Sequence, residues 1–319
     1  MQLTFLGTSS GVPTRARNVS SVALRLPQRG EVWLFDCGEG TQQQLQRTPL
    51  KISQISRIFI THLHGDHLFG LMGLLATCGL AGQAQEIHLY GPEGLEEYVR
   101  MSARLSGTTL SDTLKIHTVE TGCLYRDDDF SVTCQPLKHR ITSYGYRVAE
   151  SDRPGKFDVE RAQALGVPPG PLFGRLKRGE SVELDDGRVV HGRELSGETI
   201  EGRSIVYCTD TTYCRSAVVL SERADALIHE ATFAAEDEPL ALQSMHSTAT
   251  MAARVASEAC VRQLLLTHFS PRYTQESRIT PDDLLAEARA VFPRTEMARD
   301  FMIYEVPRRL ARNESRITN

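Results

Sequence analysis

The sequence predicts an α/β protein. Short apolar runs alternate with helical periodicity from residue 1 to 148 and again from 203 onward. Three runs end alike, in Thr followed by His or Asp: Ile58-Phe59-Ile60-Thr61-His62, Val206-Tyr207-Cys208-Thr209-Asp210 and Leu264-Leu265-Leu266-Thr267-His268. Ligands collect at strand ends in α/β sheets, so the repetition predicts two similar halves presenting polar groups at one edge.

In chain order, Leu3 to Leu6 reads as a first strand feeding the turn Gly7-Thr8-Ser9-Ser10-Gly11-Val12-Pro13. The turn is either a phosphate cradle of backbone amides or a plain hairpin connection. Val22 to Leu26 and Val32 to Phe35 are the next strands. The second ends in Asp36-Cys37-Gly38-Glu39-Gly40, where a helix can begin at Thr41. Leu68 to Leu80 is apolar on most faces and predicts a buried helix; a strand at 87–90 and a helix at 93–105 follow. His88 and His117 lie inside strand patterns without neighbouring ligand residues, and read as structural. From 150 to 197 the rhythm breaks into a Gly/Pro-rich stretch with one helical pattern, Val159 to Leu165. It reads as a flexible insertion of a functional kind. Within 151–178, six basic residues stand against three acidic ones, +3 in a chain of net charge −4. Beyond 203 come two more helices: Thr248 to Ala259, with Ser247 as N-cap, and 281–291, with Pro281 first and Asp282 and Asp283 in its first turn. The basic tail from Arg308 is expected to fray.

Composition narrows the class. The chain has 319 residues, 40% hydrophobic and 24% charged, enough for one large domain or two ordinary ones. No apolar stretch reaches the ~18–20 residues that cross a membrane, and the N-terminus lacks the pattern of a signal peptide. Seven cysteines without a CxxC pair do not suggest a disulfide framework, so a cytoplasmic location is expected. A net charge of −4 excludes a generic nucleic-acid coat; a nucleic-acid partner needs a local basic patch.

The densest chemistry is His62-Leu63-His64-Gly65-Asp66-His67. On an extended backbone His62 and His64 point to one side. Gly65 permits a sharp turn, so Asp66 and His67 can face a second point nearby. Two imidazoles for one ion and a carboxylate plus imidazole for another begin a two-metal hydrolytic site. Imidazole and carboxylate donors without thiolate suit Zn²⁺, with Mn²⁺ as the alternative.

This HxHxDH pattern resembles the signature of the metallo-β-lactamase superfamily. Together with Phe5 to Pro13, Asp36-Cys37-Gly38-Glu39-Gly40-Thr41-Gln42, Thr209-Asp210-Thr211, His229-Glu230-Ala231-Thr232 and Thr267-His268-Phe269, it resembles the short form of the ribonuclease Z family, tRNA 3′-processing endonucleases, over nearly the whole chain. The resemblance implies an αβ/βα sandwich with two mixed sheets between helices, formed as one metallo-hydrolase domain (1–319). It also implies a homodimer and two zinc ions. His62, His64, His139 and Asp210 would hold one ion; Asp66, His67, Asp210 and His268 would hold the other. Asp66 would also accept a proton from the attacking water, and His246, oriented by Glu230, would protonate the leaving group. The substrate would be precursor tRNA, cut to leave a 3′-hydroxyl on the tRNA and a 5′-phosphate on the trailer. The 150–197 insertion falls where that family carries a protruding tRNA-binding arm, and Gly170-Pro171-Leu172-Phe173-Gly174 resembles its Gly-Pro signature. Arg175, Lys177 and Arg178 are its candidate phosphate contacts. Two other functions compete: a different phosphodiesterase or ester hydrolase of the same superfamily, which needs no basic arm, and a non-catalytic RNA-binding relative, which should have lost ligands.

Overall fold

A computed structural model describes residues 1–80 and 86–308; the expected fraying beyond Arg308 lies outside them. The described residues form two compact units, one comprising Met1–Val148 and Ser204–Val306, the other Ala149–Arg203 with the residues from Pro307.

The first unit holds two seven-stranded sheets. Sheet one contains β1 (Gln2–Gly7), β2 (Ser21–Leu26), β3 (Glu31–Phe35), β4 (Ile55–Phe59), β5 (Ile87–Gly91) and β6 (Leu114–Thr118) in that order, with β16 (Ile303–Glu305) outside β1. Sheet two runs β15 (Thr295–Met297), β14 (Leu264–Thr267), β13 (Ala226–Glu230), β12 (Ser204–Cys208), β9 (Tyr144–Glu150), β8 (Phe130–Pro136), β7 (Gly122–Arg126). β3 to β6 are parallel, and so are β12 to β15. Parallel strands covered on both faces become near-continuous apolar runs, which is why the runs are legible in the sequence.

Three apolar layers account for the architecture. Phe5, Trp33, Phe35, Phe59, Phe130, Tyr146, Ile205, Tyr207 and Ile228 pack the two sheets against each other. The outer face of sheet one buries Leu34, Ile58 and Leu89 against α3 (Leu71–Leu80) and α4 (Leu95–Ser106). The outer face of sheet two buries Val206, Leu227 and Leu264 against α9 (Ala249–Glu258) and α10 (Pro281–Val291). Ala252, Ala253 and Ala256 let α9 lie close. At about 1.5–3 kcal/mol for each fully buried large side chain, these layers supply the driving force. The result is the αβ/βα sandwich that the sequence resemblance implies.

Three local readings change. The helix expected over Leu68–Leu80 is split into α2 (Gly65–Leu68) and α3, because Gly70 N–H donates to Cys37 O and a Cβ at Gly70 would stand 2.0 Å from Gly38 O. One face of α3 is buried, whereas Gly73 and Leu80 face solvent. The N-cap of α9 is Thr248, whose side chain accepts from Met251 N–H; the Ser247 hydroxyl donates instead to Thr211 O.

The second unit is more regular than its composition suggests. Besides α5 (Val159–Ala164) it contains α6 (Pro171–Lys177) and a hairpin, β10 (Ser181–Glu183) with β11 (Val189–His191). Phe157, Ala162, Val167, Leu176, Val182, Val190 and Leu195 form its own core. Arg153 pairs with Ile200 and Phe157 with Ser196 across its root, where Arg203 also grips Glu150 at 2.8 Å. The elements are too short for periodicity to reveal, so sequence reading found only α5.

Candidate metal centre

The site lies where the parallel strands of both sheets end. His62 and His64 follow β4, His139 follows β8, Asp210 follows β12 and His268 follows β14. Asp36, Asp210 and His268 each take φ between 52° and 58°, a left-handed turn directly after a strand. Such backbone is uncommon outside glycine and clusters at functional sites.

The donors form two neighbouring sets, His62 with His64, His139 and Asp210, and Asp66 with His67 and His268, and a third grouping of Asp210, His246 and His268 overlaps them. Asp210 faces both. Its Oδ1 stands 3.1 Å from His67 Nε2 and 3.2 Å from His268 Nε2, while Oδ2 stands 3.6 Å from His62 Nε2 and 3.8 Å from His139 Nε2. In the first set His64 Nδ1 lies 3.0 Å from His62 Nε2 and 3.2 Å from His139 Nε2; in the second His67 Nε2 lies 3.3 Å from His268 Nε2.

The outer ring nitrogens explain what these contacts mean. His67 Nδ1–H donates to Asp36 at 2.7 Å, His62 Nδ1–H to Thr61 Oγ1, His268 Nδ1–H to Thr232 Oγ1 and His139 Nδ1–H to Met245 O. With Nδ1 donating outward, each of these rings turns its Nε2 inward. Lone pairs converging in a buried space repel unless a cation sits among them. Tetrahedral nitrogen ligands at ~2.0–2.1 Å from zinc are spaced by roughly 3.3–3.4 Å, close to the separations seen. Asp210 Oδ1 is buried and makes no hydrogen bond despite its two close imidazoles. The residues therefore fit metal ions.

Electrostatics agree. Burial, aided by neighbouring imidazoles, pushes His62 and His64 below the ordinary imidazole range, and burial does the same for His139, which favours the neutral ligand form. Burial opposes a charge on His67, yet Asp210, Asp66 and Asp36 outweigh it and raise its pKa. That carboxylate cage calls for positive charge, which ions would supply. Burial would raise Asp66, but His67 and His268 hold it far below the usual carboxylate range.

Next to the ligands, His246 Nδ1 contacts Glu230 Oε1 and Oε2 at 3.1 and 3.2 Å. Burial lowers the His246 pKa, but the Glu230 carboxylate overrides it and raises the value to about 9. Ser247 and Thr211 N–H groups also donate to Glu230, fixing it.

Several residues were not singled out from the sequence. Asp36 accepts from Thr61 N–H, the Thr61 hydroxyl, His67 and Tyr207 OH. Thr232 and Met245 orient His268 and His139. The strand-end pattern "apolar run, then Asp" was the available signal for Asp36. The phosphate-cradle reading of 7–13 does not stand: the amides of Thr8, Ser9, Ser10 and Val12 bond to backbone carbonyls, and that of Gly11 to Asp66. His88 and His117 bond to each other at 2.9 Å, away from both ligand sets. Arg175, Lys177 and Arg178 lie on and just after α6; the two arginines share Glu180 at 3.0 and 2.8 Å, and Lys177 stands 5.8 Å from the Phe157 ring centroid.

Asp36→Asn offers one acceptor oxygen to donors that now use two. It should weaken metal affinity about 10–100-fold, as loss of an outer-shell partner does. Competition with a chelating dye measures this; unchanged affinity in the folded variant would refute the role.

Comparisons with known proteins fit this geometry. Residues 1–152 match the family described as "Anti-Pycsar protein Apyc1", and residues 178–269 match the "Beta-lactamase superfamily domain". Ribonuclease Z of a Nostoc species is 64% identical over 97% of this chain and 96% of its own. Ribonuclease Z of Crocosphaera subtropica is 62% identical over 97% and 99%. Among solved structures, human tRNase Z, short form, superposes with a TM-score of 0.67 at 33% identity over 96% of this chain and all of that one. By its sequence and fold, this chain belongs to the ribonuclease Z family.

Proposed function

We propose that the chain is a two-zinc endoribonuclease that removes the 3′ trailer from precursor tRNA. The observation that carries this is the placement of Asp210 between two imidazole sets, with the His246–Glu230 pair beside them. His62, His64 and His139 would hold one ion, and Asp66, His67 and His268 the other. Bound there, the ions would supply Lewis acidity toward the scissile phosphate and toward water. The chain's own groups handle protons. Asp66, kept ionised, accepts a proton from the attacking water. As the phosphorus–O3′ bond breaks, His246 donates a proton to the departing oxygen, and Glu230 holds the resulting neutral imidazole in place. The tRNA keeps a 3′-hydroxyl and the trailer a 5′-phosphate. Mapping the cut on a 3′-extended pre-tRNA tests the reaction; cleavage that leaves a 3′-phosphate on the tRNA would refute this chemistry.

The general-acid role predicts a pH profile. His246 must be protonated, so turnover should fall as pH rises through its pKa, about 9. Glu230→Gln removes the charge that offsets burial, so the alkaline limb should move to lower pH. His246→Ala should lower turnover ~10²–10⁴-fold with metal content intact. An unmoved limb in Glu230→Gln would argue against the pair.

Among the described residues, the second unit contributes no donor to either ligand set. We assign it to binding the tRNA body through the basic excess at 151–178, although 149–203 as a whole carries nine basic and eleven acidic residues. Replacing Arg175, Lys177 and Arg178 with Gln should weaken pre-tRNA binding and flatten its salt dependence by about 0.7–0.9 log units per lost phosphate contact. Hydrolysis of bis(p-nitrophenyl) phosphate should be unaffected. Parallel loss of both activities would contradict this division.

A cytoplasmic homodimer completes the reading. No helix among the described residues is long and apolar enough to cross a membrane. Phe69, 64% exposed, and Leu80, 89% exposed, are large apolar side chains left in solvent, of the kind that protein contacts cover. Sedimentation as a monomer at micromolar concentration would refute the dimer.

A further inference from the structure

We propose that Thr8 and Asp300 are positioning residues for Asp66: they seat the loop 8–18 so that the Gly11 amide holds one oxygen of that carboxylate. The proposal rests on the two-ion reading above. Gly11 N–H donates to Asp66 Oδ2 at 2.8 Å. The same oxygen stands 3.4 Å from His67 Nε2 and 3.4 Å from His268 Nε2. The amide thus selects the rotamer that aims Asp66 at the second ligand set.

Gly11 sits in a turn braced locally by the Ser9 hydroxyl, which donates to Val12 O at 2.7 Å, and by Val12 N–H, which donates to Ser10 O. Gly11 is exposed, has φ +71°, and has open space where a Cβ would lie. The turn's position is set at the base of the loop. Asp300 Oδ1 accepts from the Thr8 hydroxyl at 2.7 Å, and Oδ2 accepts from Asn18 N–H at 2.7 Å and Gln44 Nε2 at 3.0 Å. One carboxylate therefore ties both ends of the loop together. Thr8 Oγ1 in turn accepts from Arg17, whose guanidinium also donates to Ala298 O and lies over the Phe269 ring at 4.6 Å. Thr8 and Ser9 N–H donate to Asn18 O, while Ser10 N–H donates to Phe269 O and Phe269 N–H to Thr8 O. Phe269 follows the ligand His268, so the loop is stitched to two donors of the same set, Asp66 through Gly11 and His268 through Phe269. Among the described residues, no such bond links the loop to His62, His64 or His139.

The experiment titrates zinc into chelator-stripped full-length protein against a chelating dye, with thermal unfolding of the stripped protein as the fold control. Thr8→Val keeps the side-chain shape but loses the hydroxyl. It should weaken one of two zinc ions about 10–100-fold, the range typical of outer-shell partners, and leave the other unchanged. Thr8→Ser should restore both. Asp300→Asn turns an amide NH₂ toward at least one donor and should show the same selective loss, which decides the matter if Thr8→Val does not fold. Equal weakening of both ions, or of neither, in a folded variant overturns the proposal. So does failure of both variants to fold when stripped, since the cluster is then purely structural. Wild-type protein that binds fewer than two ions overturns the two-ion reading instead, a separate outcome.

Discussion

The carboxylate of Asp36 is the constraint on which the centre depends. It is fully buried and sits in a left-handed turn at the end of β3. Donors reach it from the end of β4 through Thr61, from α2 through His67 and from the other sheet through Tyr207. A buried carboxylate without such donors would be strongly destabilising; with them it locks both sheets and the metal motif into one arrangement. It also fixes ring tautomers. His67 donates to it directly, and the Thr61 hydroxyl donates to it while receiving His62 Nδ1–H. His67 and His62 turn their Nε2 atoms inward because their outer nitrogens are held by this group, directly and through Thr61.

A second layer of the same logic surrounds Glu230. Its two oxygens collect Thr211 N–H, Ser247 N–H, the Thr232 hydroxyl and His246. Thr232 passes that constraint on to His268. The two buried acids differ in what they hold. Asp36 fixes the outer nitrogens of His67 and, through Thr61, of His62, whereas Glu230 holds His246 beside the donor sets. Burial lowers the pKa of His62, His64 and His139, whereas carboxylates raise that of both His67, which Asp36 touches, and His246, which Glu230 touches.

Much of this was legible in the sequence, and for physical reasons. Parallel strands buried on both faces must be apolar throughout, so a His or Asp directly after one stands out; His62, Asp210 and His268 were found that way. Gly65 and the alternation at His62 and His64 announced two facing sets. Other features leave weak local traces. Asp36 follows an apolar run too, but its partners come from distant segments, so its role depends on tertiary pairing. β16 has three residues, and the β10–β11 hairpin two strands of three. Such elements exist only because a neighbour offers an edge. The turn at 7–13 left a phosphate cradle open as a reading because sequence cannot show that its amides are already committed.

The second unit shows how a Gly/Pro-rich segment can fold. Its apolar cluster is small, and a unit of this size buries too little surface to be more than marginal alone. Glycines at positive φ, among them Gly166, Gly179 and Gly187, close its turns without steric cost. Its root is where long-range order enters. Arg153 and Phe157 pair with Ile200 and Ser196, and Arg203 lies against Glu150 in a nearly solvent-free ion pair. Removing one partner of such a pair strands a buried charge, at a cost of about 3–5 kcal/mol, comparable to everything a core of this size supplies. The charge that holds the unit closed is kept apart from the arginines proposed to meet phosphate: Arg203 is buried at the root, while Arg175 and Arg178 are exposed and share Glu180. An exposed ion pair is worth little, so a phosphate can compete for those guanidiniums without unfolding what carries them.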